Sequence, residues 1–119
     1  QERNAPAYSK MERKVEVAFH PSVVDYLEQL MFILYQKGYF SYTDTALEYV
    51  DKMIEFIRCN IYLQNGRIAP KRFQKEGLVV RYFYYQSNQS TTWYIFYSQS
   101  GNRYLVLHIS NNHESGHLL

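Results

Sequence analysis

Between Leu78 and His113 three runs rich in β-branched and aromatic residues follow one another across short polar breaks: Leu78 to Tyr85, Thr91 to Tyr97 and Arg103 to Ile109. Such runs pack well as strands, and the breaks Ser87-Asn88-Gln89-Ser90 and Ser98-Gln99-Ser100-Gly101-Asn102 have the composition of hairpin loops. The spacing predicts an antiparallel meander. Its second turn carries the stronger signal, because Gly and Asn tolerate positive φ. Ser110-Asn111-Asn112-His113 then follows the last run, placing polar side chains and an imidazole where a sheet ends.

Upstream the period changes. Lys14 to Phe19 alternates charged and apolar side chains, so Val15, Val17 and Phe19 face one way on a half-buried strand. Pro21 suits the first position of a helix, and Val23, Leu27, Leu30 and Leu34 then form an apolar stripe that Gly38 closes. After a short turn over Tyr39 to Asp44, Thr45 and Glu48 fit a capping box for a second helix. That helix has the stripe Ala46, Val50, Met53/Ile54, Ile57 and Ile61, with acids early and Arg58 late, as the helix dipole favours. Asn65-Gly66 marks a turn, and Pro70 to Gly77 forms a polar, cationic link.

The predicted order is β-α-α-β-β-β. This is an α+β domain in which an antiparallel sheet packs against a helical hairpin covering one face and leaving the other available. Residues 1–10 lack any period and Met11 directly precedes the patterned chain, so residues 1–10 read as a leader or expression remnant without order of its own. Residues 11–119 read as a single domain.

A domain of this size buries about two thirds of its unfolded surface without a covalent staple. Cys59 is alone among 119 residues, which excludes an internal disulfide and favours a reducing, cytoplasmic setting. It reads as a small apolar helix residue. The apolar run Leu30 to Tyr35 falls far short of the roughly 20 residues that span a bilayer, so no membrane association is expected. Four histidines without ligand spacing to Cys59 predict no metal, and nothing calls for a cofactor. A formal net charge of +2 is mild, whereas thirteen tyrosines are many, and each offers a stacking face and a hydroxyl. Packing within the sheet accounts for most of them.

The opening Val15-Glu16-Val17 strand, Arg72-Phe73-Gln74-Lys75, Arg81, Thr91-Thr92-Trp93-Tyr94-Ile95-Phe96 and the closing Leu107-His108-Ile109-Ser110-Asn111-Asn112-His113 occur in an order and at a length that resemble the RelE/ParE superfamily. These are toxins of bacterial type II toxin–antitoxin pairs. The resemblance implies a growth-arresting toxin, neutralised by a cognate antitoxin protein and able to form a heterotetramer with it. RelE-like members are ribosome-dependent, metal-independent mRNA endoribonucleases. ParE-like members poison DNA gyrase without nuclease activity, and a non-catalytic binding module of the same fold is a third alternative.

Under the nuclease reading, the residues matching the family's pattern are Arg81 on the first meander strand and His113 beyond the last. Arginine supplies a bidentate, permanently charged phosphate partner, and histidine transfers protons near neutral pH. Arg81 is equally suited to an exposed solvated position or to an antitoxin carboxylate, and His113 to an exposed tail. Lys71, Arg72 and Lys75 fit an RNA backbone or a solvated link. Asn111 and Asn112 fit a base, a phosphate or a turn, and Tyr85 fits a stacking ring or the core. His108 shares the predicted strand face of Tyr104 and Val106 and reads as a packing or supporting residue. The low net charge and the absence of a cation from Thr91 to Tyr97 favour the gyrase-directed or non-catalytic alternatives.

Overall fold

The computed structural model describes residues 14–36 and 43–113. Strand β1 (Glu16–Phe19) leads into helix α1 (Pro21–Gln36), followed by helix α2 (Thr43–Asn60) and a two-residue strand β2 (Arg67–Ile68). A 3₁₀ turn (Lys71–Phe73) then precedes β3 (Arg81–Asn88), β4 (Thr91–Ser100) and β5 (Arg103–Asn111). The proposed leader, the Gly38 closure and most of the Tyr39 to Asp44 turn lie outside the described residues. None of the described helices is long and apolar enough to cross a membrane.

The five strands form one sheet in the order β1-β5-β4-β3-β2. β3, β4 and β5 make the expected meander, and its second turn uses Gly101 at φ +60°. The sheet is not wholly antiparallel: β1 runs parallel to β5, with Glu16 opposite Arg103 and Phe19 opposite Val106. A strand followed by two helices can return beside the last strand in the same direction, since parallel neighbours require a long crossover. Exposed Arg103 and Glu16 reinforce this register, Nε lying 3.0 Å from Oε1.

Helix α1 starts as the chain chemistry directs. Pro21 occupies the first turn, and the Ser22 backbone N–H donates to Nδ1 of His20 at 3.1 Å, so a histidine serves as the cap. α2 begins at Thr43, two residues before the expected cap, and Thr45 falls inside it. The predicted stripes hold. Val23, Leu27 and Leu30 of α1 join Val50, Met53 and Ile57 of α2 in one buried cluster with Phe83, Trp93, Ile95, Tyr97 and Val106 of the sheet. Cys59, by contrast, is exposed on α2, with its Sγ donating to Glu55 at 3.3 Å, rather than sitting among apolar residues.

The opposite sheet face carries a second, smaller cluster of Ala69, Val80, Tyr82, Phe96 and Leu107, against which Phe73, Tyr94 and Leu105 pack. The 3₁₀ turn thus folds over the middle of the face expected to be free, and the Phe73 ring stacks on Phe96 with centroids 4.4 Å apart. Gln74 holds this segment in place. Its Nε2 donates to the carbonyls of Ala69 and Val80, both at 2.9 Å, and its Oε1 accepts from the Val80 N–H at 2.8 Å. One carboxamide therefore bridges three backbone groups, the Val80 carbonyl also accepting from the Ala69 N–H at 2.9 Å.

Candidate nucleic-acid interface

Alternation along each strand sorts the meander residues between the two faces, and a bulge changes the count part-way. β4 and β5 shift register between Phe96 and Tyr97: Phe96 faces His108, whereas Tyr97 faces Val106, leaving Leu107 as the extra residue. Beyond a bulge the alternation changes phase. Tyr104 and Val106 point into the helix-side core, but His108 emerges on the other face beside Phe96 and Phe73, at ring distances of 5.5 and 6.1 Å. His108 is exposed and does not share the face of Tyr104 and Val106 as strict alternation predicts.

Two rows of residues define the surface around it. Arg67 pairs with Tyr82, Tyr82 with Phe96, and Phe96 with His108; in the next row Tyr84 pairs with Tyr94 and Tyr94 with Ser110. Tyr84 is 50% exposed. Tyr94 stands edge-on to both Tyr84 and Tyr82, at 6.2 and 6.3 Å. The Arg67 guanidinium lies over the Tyr84 ring at 6.0 Å, and that of Arg72 lies 5.6 Å from the Phe73 ring. Lys71 and Lys75 are exposed on the same link. Charge is divided along the chain: residues 61–113 hold six cations against Glu76, of which Arg67, Lys71, Arg72 and Lys75 belong to β2 and this link, while residues 21–60 hold six acids against three cations. The near-neutral total therefore conceals a cationic sheet half and an acidic helical half.

Arg81 and His113 are not brought together. Arg81 shares the helix-side face with Phe83 and Tyr97, is half-buried, and donates from Nη1 to the Gly66 carbonyl at 3.0 Å. His113 lies past the opposite end of the sheet, its Nε2 3.4 Å from Thr91 Oγ1. Thr91 lies six positions along β4 from Tyr97, the partner of Arg81, which at ~3.3 Å per residue places the two about 20 Å apart along the strand. The expected shared surface for this pair does not form.

The remaining candidates divide. Asn112 closes the sheet end: its Oδ1 accepts from the Thr92 N–H at 2.9 Å and its Nδ2 donates to the Ser90 carbonyl at 3.1 Å. Asn111 is half-buried, belongs to β5, and its Oδ1 accepts from the His113 N–H at 2.9 Å. Both asparagines shape the strand end, the turn role among their alternatives. Tyr85 packs on Phe56 of α2 at 4.5 Å on the helix-covered side, so it is a core-edge ring rather than a stacking platform. Burial, then the nearby Tyr49 phenol, raises its pKa. Burial likewise raises that of Tyr97, with Arg81 and the Gly66 backbone acting the other way. Among the described residues no three His, Cys, Asp or Glu side chains gather as a metal site.

Arg67 and His108 were outside the sequence-derived set. A two-residue strand is too short to carry a period, so nothing marked Arg67 as a sheet residue, and His108 was hidden by the bulge. Tyr84 and Tyr94 carried the available signal, since alternation opposes them to the core residues Phe83 and Ile95.

A concave feature lies on the helical side. Phe19, Val24, Leu27, Met31, Leu47 and Ile54 line an apolar groove of about 410 Å³, edged by Glu28, Asp51 and Arg58. Phe32 beside it is 54% exposed.

No family model, curated protein or solved structure matches this chain. Fold and surface define its class: an α+β domain whose mixed sheet is roofed by helices on one face and presents aromatic rings among cations on the other.

Proposed function

We propose that this chain is a toxin of the RelE/ParE kind that engages RNA on the sheet face opposite its helices. The observation carrying the reading is the grouping of Arg67, Lys71 and Arg72 with Tyr84, Tyr94 and His108 on one face. Cations attract the phosphate backbone, and exposed rings stack on unpaired bases, a combination suited to single strands. His108 adds a proton-transfer group to that face, the requirement for cleavage at a 2′-hydroxyl. The acidic helical half with its apolar groove supports an antitoxin partner, because an amphipathic helix docks by its apolar face in such a groove.

A second reading, arrest without RNA cleavage through gyrase or another target, is favoured by the separation of Arg81 from His113. Inducing the chain in cells without antitoxin, while scoring growth and message integrity together, separates the two. Arrest with cut, translated message supports the nuclease. Arrest with intact message supports the second reading, and unaffected growth overturns the toxin assignment.

A further inference from the structure

We infer that Arg67 and Tyr84 form a slot for one unpaired nucleobase, and this inference rests on the RNA reading above. The Arg67 Cζ stands 6.0 Å from the Tyr84 ring centroid. That is the outer limit of a cation–π contact, so the guanidinium lies above the ring without closing on it. Stacked bases are spaced ~3.4 Å apart, so a base held between two planes needs about 6.8 Å between them. The Arg67 side chain therefore has to swing outward to admit one.

The two walls differ in rigidity, as an adaptable slot requires. Tyr84 is set by its strand, opposite Tyr94, whose ring meets it edge-on at 77°. Its backbone is held in the sheet before any ligand arrives. Arg67 is exposed at the end of a flexible side chain, while its backbone is held opposite Tyr82. It can close over an inserted ring and contribute both stacking and charge. Lys71 and Arg72 follow four and five residues further on and supply cations for the flanking phosphates.

The slot takes a base by its faces. Every base has a π-face, so such a subsite selects unpaired strands over duplexes and is tolerant of sequence. The test uses a labelled single-stranded oligoribonucleotide read by fluorescence anisotropy, and the same strand carrying 2-aminopurine, whose emission falls when it stacks. Wild-type protein binds the strand, quenches 2-aminopurine and is poorly competed by duplex RNA. Tyr84→Ala weakens binding roughly 5- to 150-fold and abolishes quenching, while Tyr84→Phe retains both. Arg67→Lys keeps the charge yet loses quenching. Thermal unfolding of each variant stays near wild type, since both side chains lie at the surface. Wild-type affinity and quenching in Tyr84→Ala overturn the slot and leave the RNA reading standing; failure of wild-type protein to bind the strand overturns both.

Discussion

The indole N–H of Trp93 donates to the Tyr49 hydroxyl across 2.9 Å, and that hydroxyl donates in turn to Ser87 Oγ at 2.8 Å. One phenol on α2 is thereby fastened to both β3 and β4. Trp93 is only 2% exposed, so its N–H has no access to bulk water as an alternative.

Replacing Tyr49 with Phe keeps the ring and strands the indole donor. The expected cost is ~1–3 kcal/mol, the penalty for an unsatisfied buried polar group. Urea unfolding followed by Trp93 fluorescence measures it, and an unchanged midpoint shows that the hydroxyl carries no such role.

Arg81 is tied to the Gly66 carbonyl rather than presented to a ligand. Arg81→Ala is expected to lose about 1.5–3 kcal/mol, the range for a hydrogen bond to a charged group. Arg81→Lys, which keeps a donor, recovers part of it. At temperatures where the alanine variant remains folded, RNA binding is expected to match wild type; a selective loss of binding in a fully folded variant contradicts this assignment.

Gly66 is required by space. A Cβ there collides with the Tyr97 hydroxyl, a group held inside the core. Gly66→Ala should cost ~1–3 kcal/mol through overpacking. Combining it with Tyr97→Phe removes the colliding atom, so the pair should be less damaging than the sum of the single changes. Strict additivity in denaturant melts refutes the clash.

The raised phenols of Tyr85 and Tyr97 set an alkaline limit. Each is held neutral mainly by burial, so its folded pKa exceeds the unfolded value near 10. Their contribution is fully present below that unfolded value and is lost as pH rises through the higher folded one. Stability measured from pH 8 upward should therefore fall above about pH 10. The fall should be shallower in Tyr97→Phe, and equal slopes in the two proteins rule this source out.

The cationic link makes a separate prediction. Lys71→Ala and Arg72→Ala should each lower the slope of log affinity against log salt by about 0.7, the value for one phosphate contact on a single strand. Lys52→Ala, on α2, serves as the control and should leave the slope unchanged.

Periodicity made the helices legible because burial acts on every turn: Val23, Leu27 and Leu30, and Val50, Met53, Ile57 and Ile61, are all buried as their spacing demands. The meander was legible for the same reason at period two. Placement within the sheet was not. β1 finds its neighbour more than eighty residues away, and nothing within Glu16–Phe19 encodes the direction of that pairing. The candidate pair failed on position: Arg81 stands on the side of Phe83, as alternation required, but that side proved to be the roofed one, and His113 lies beside Thr91 past the far end of the strand. The face of His108 was lost to a matter of phase, since the Leu107 bulge carried it to the side opposite Val106.

Gln74 acts as a buckle, since its one carboxamide closes the chain on itself between Ala69 and Val80. The stretch from Lys75 to Val79 is fastened at its base, making it a natural place to splice foreign loops onto the scaffold. A library varied there while Gln74 is kept could diversify the rim of the aromatic face and leave the sheet beneath undisturbed.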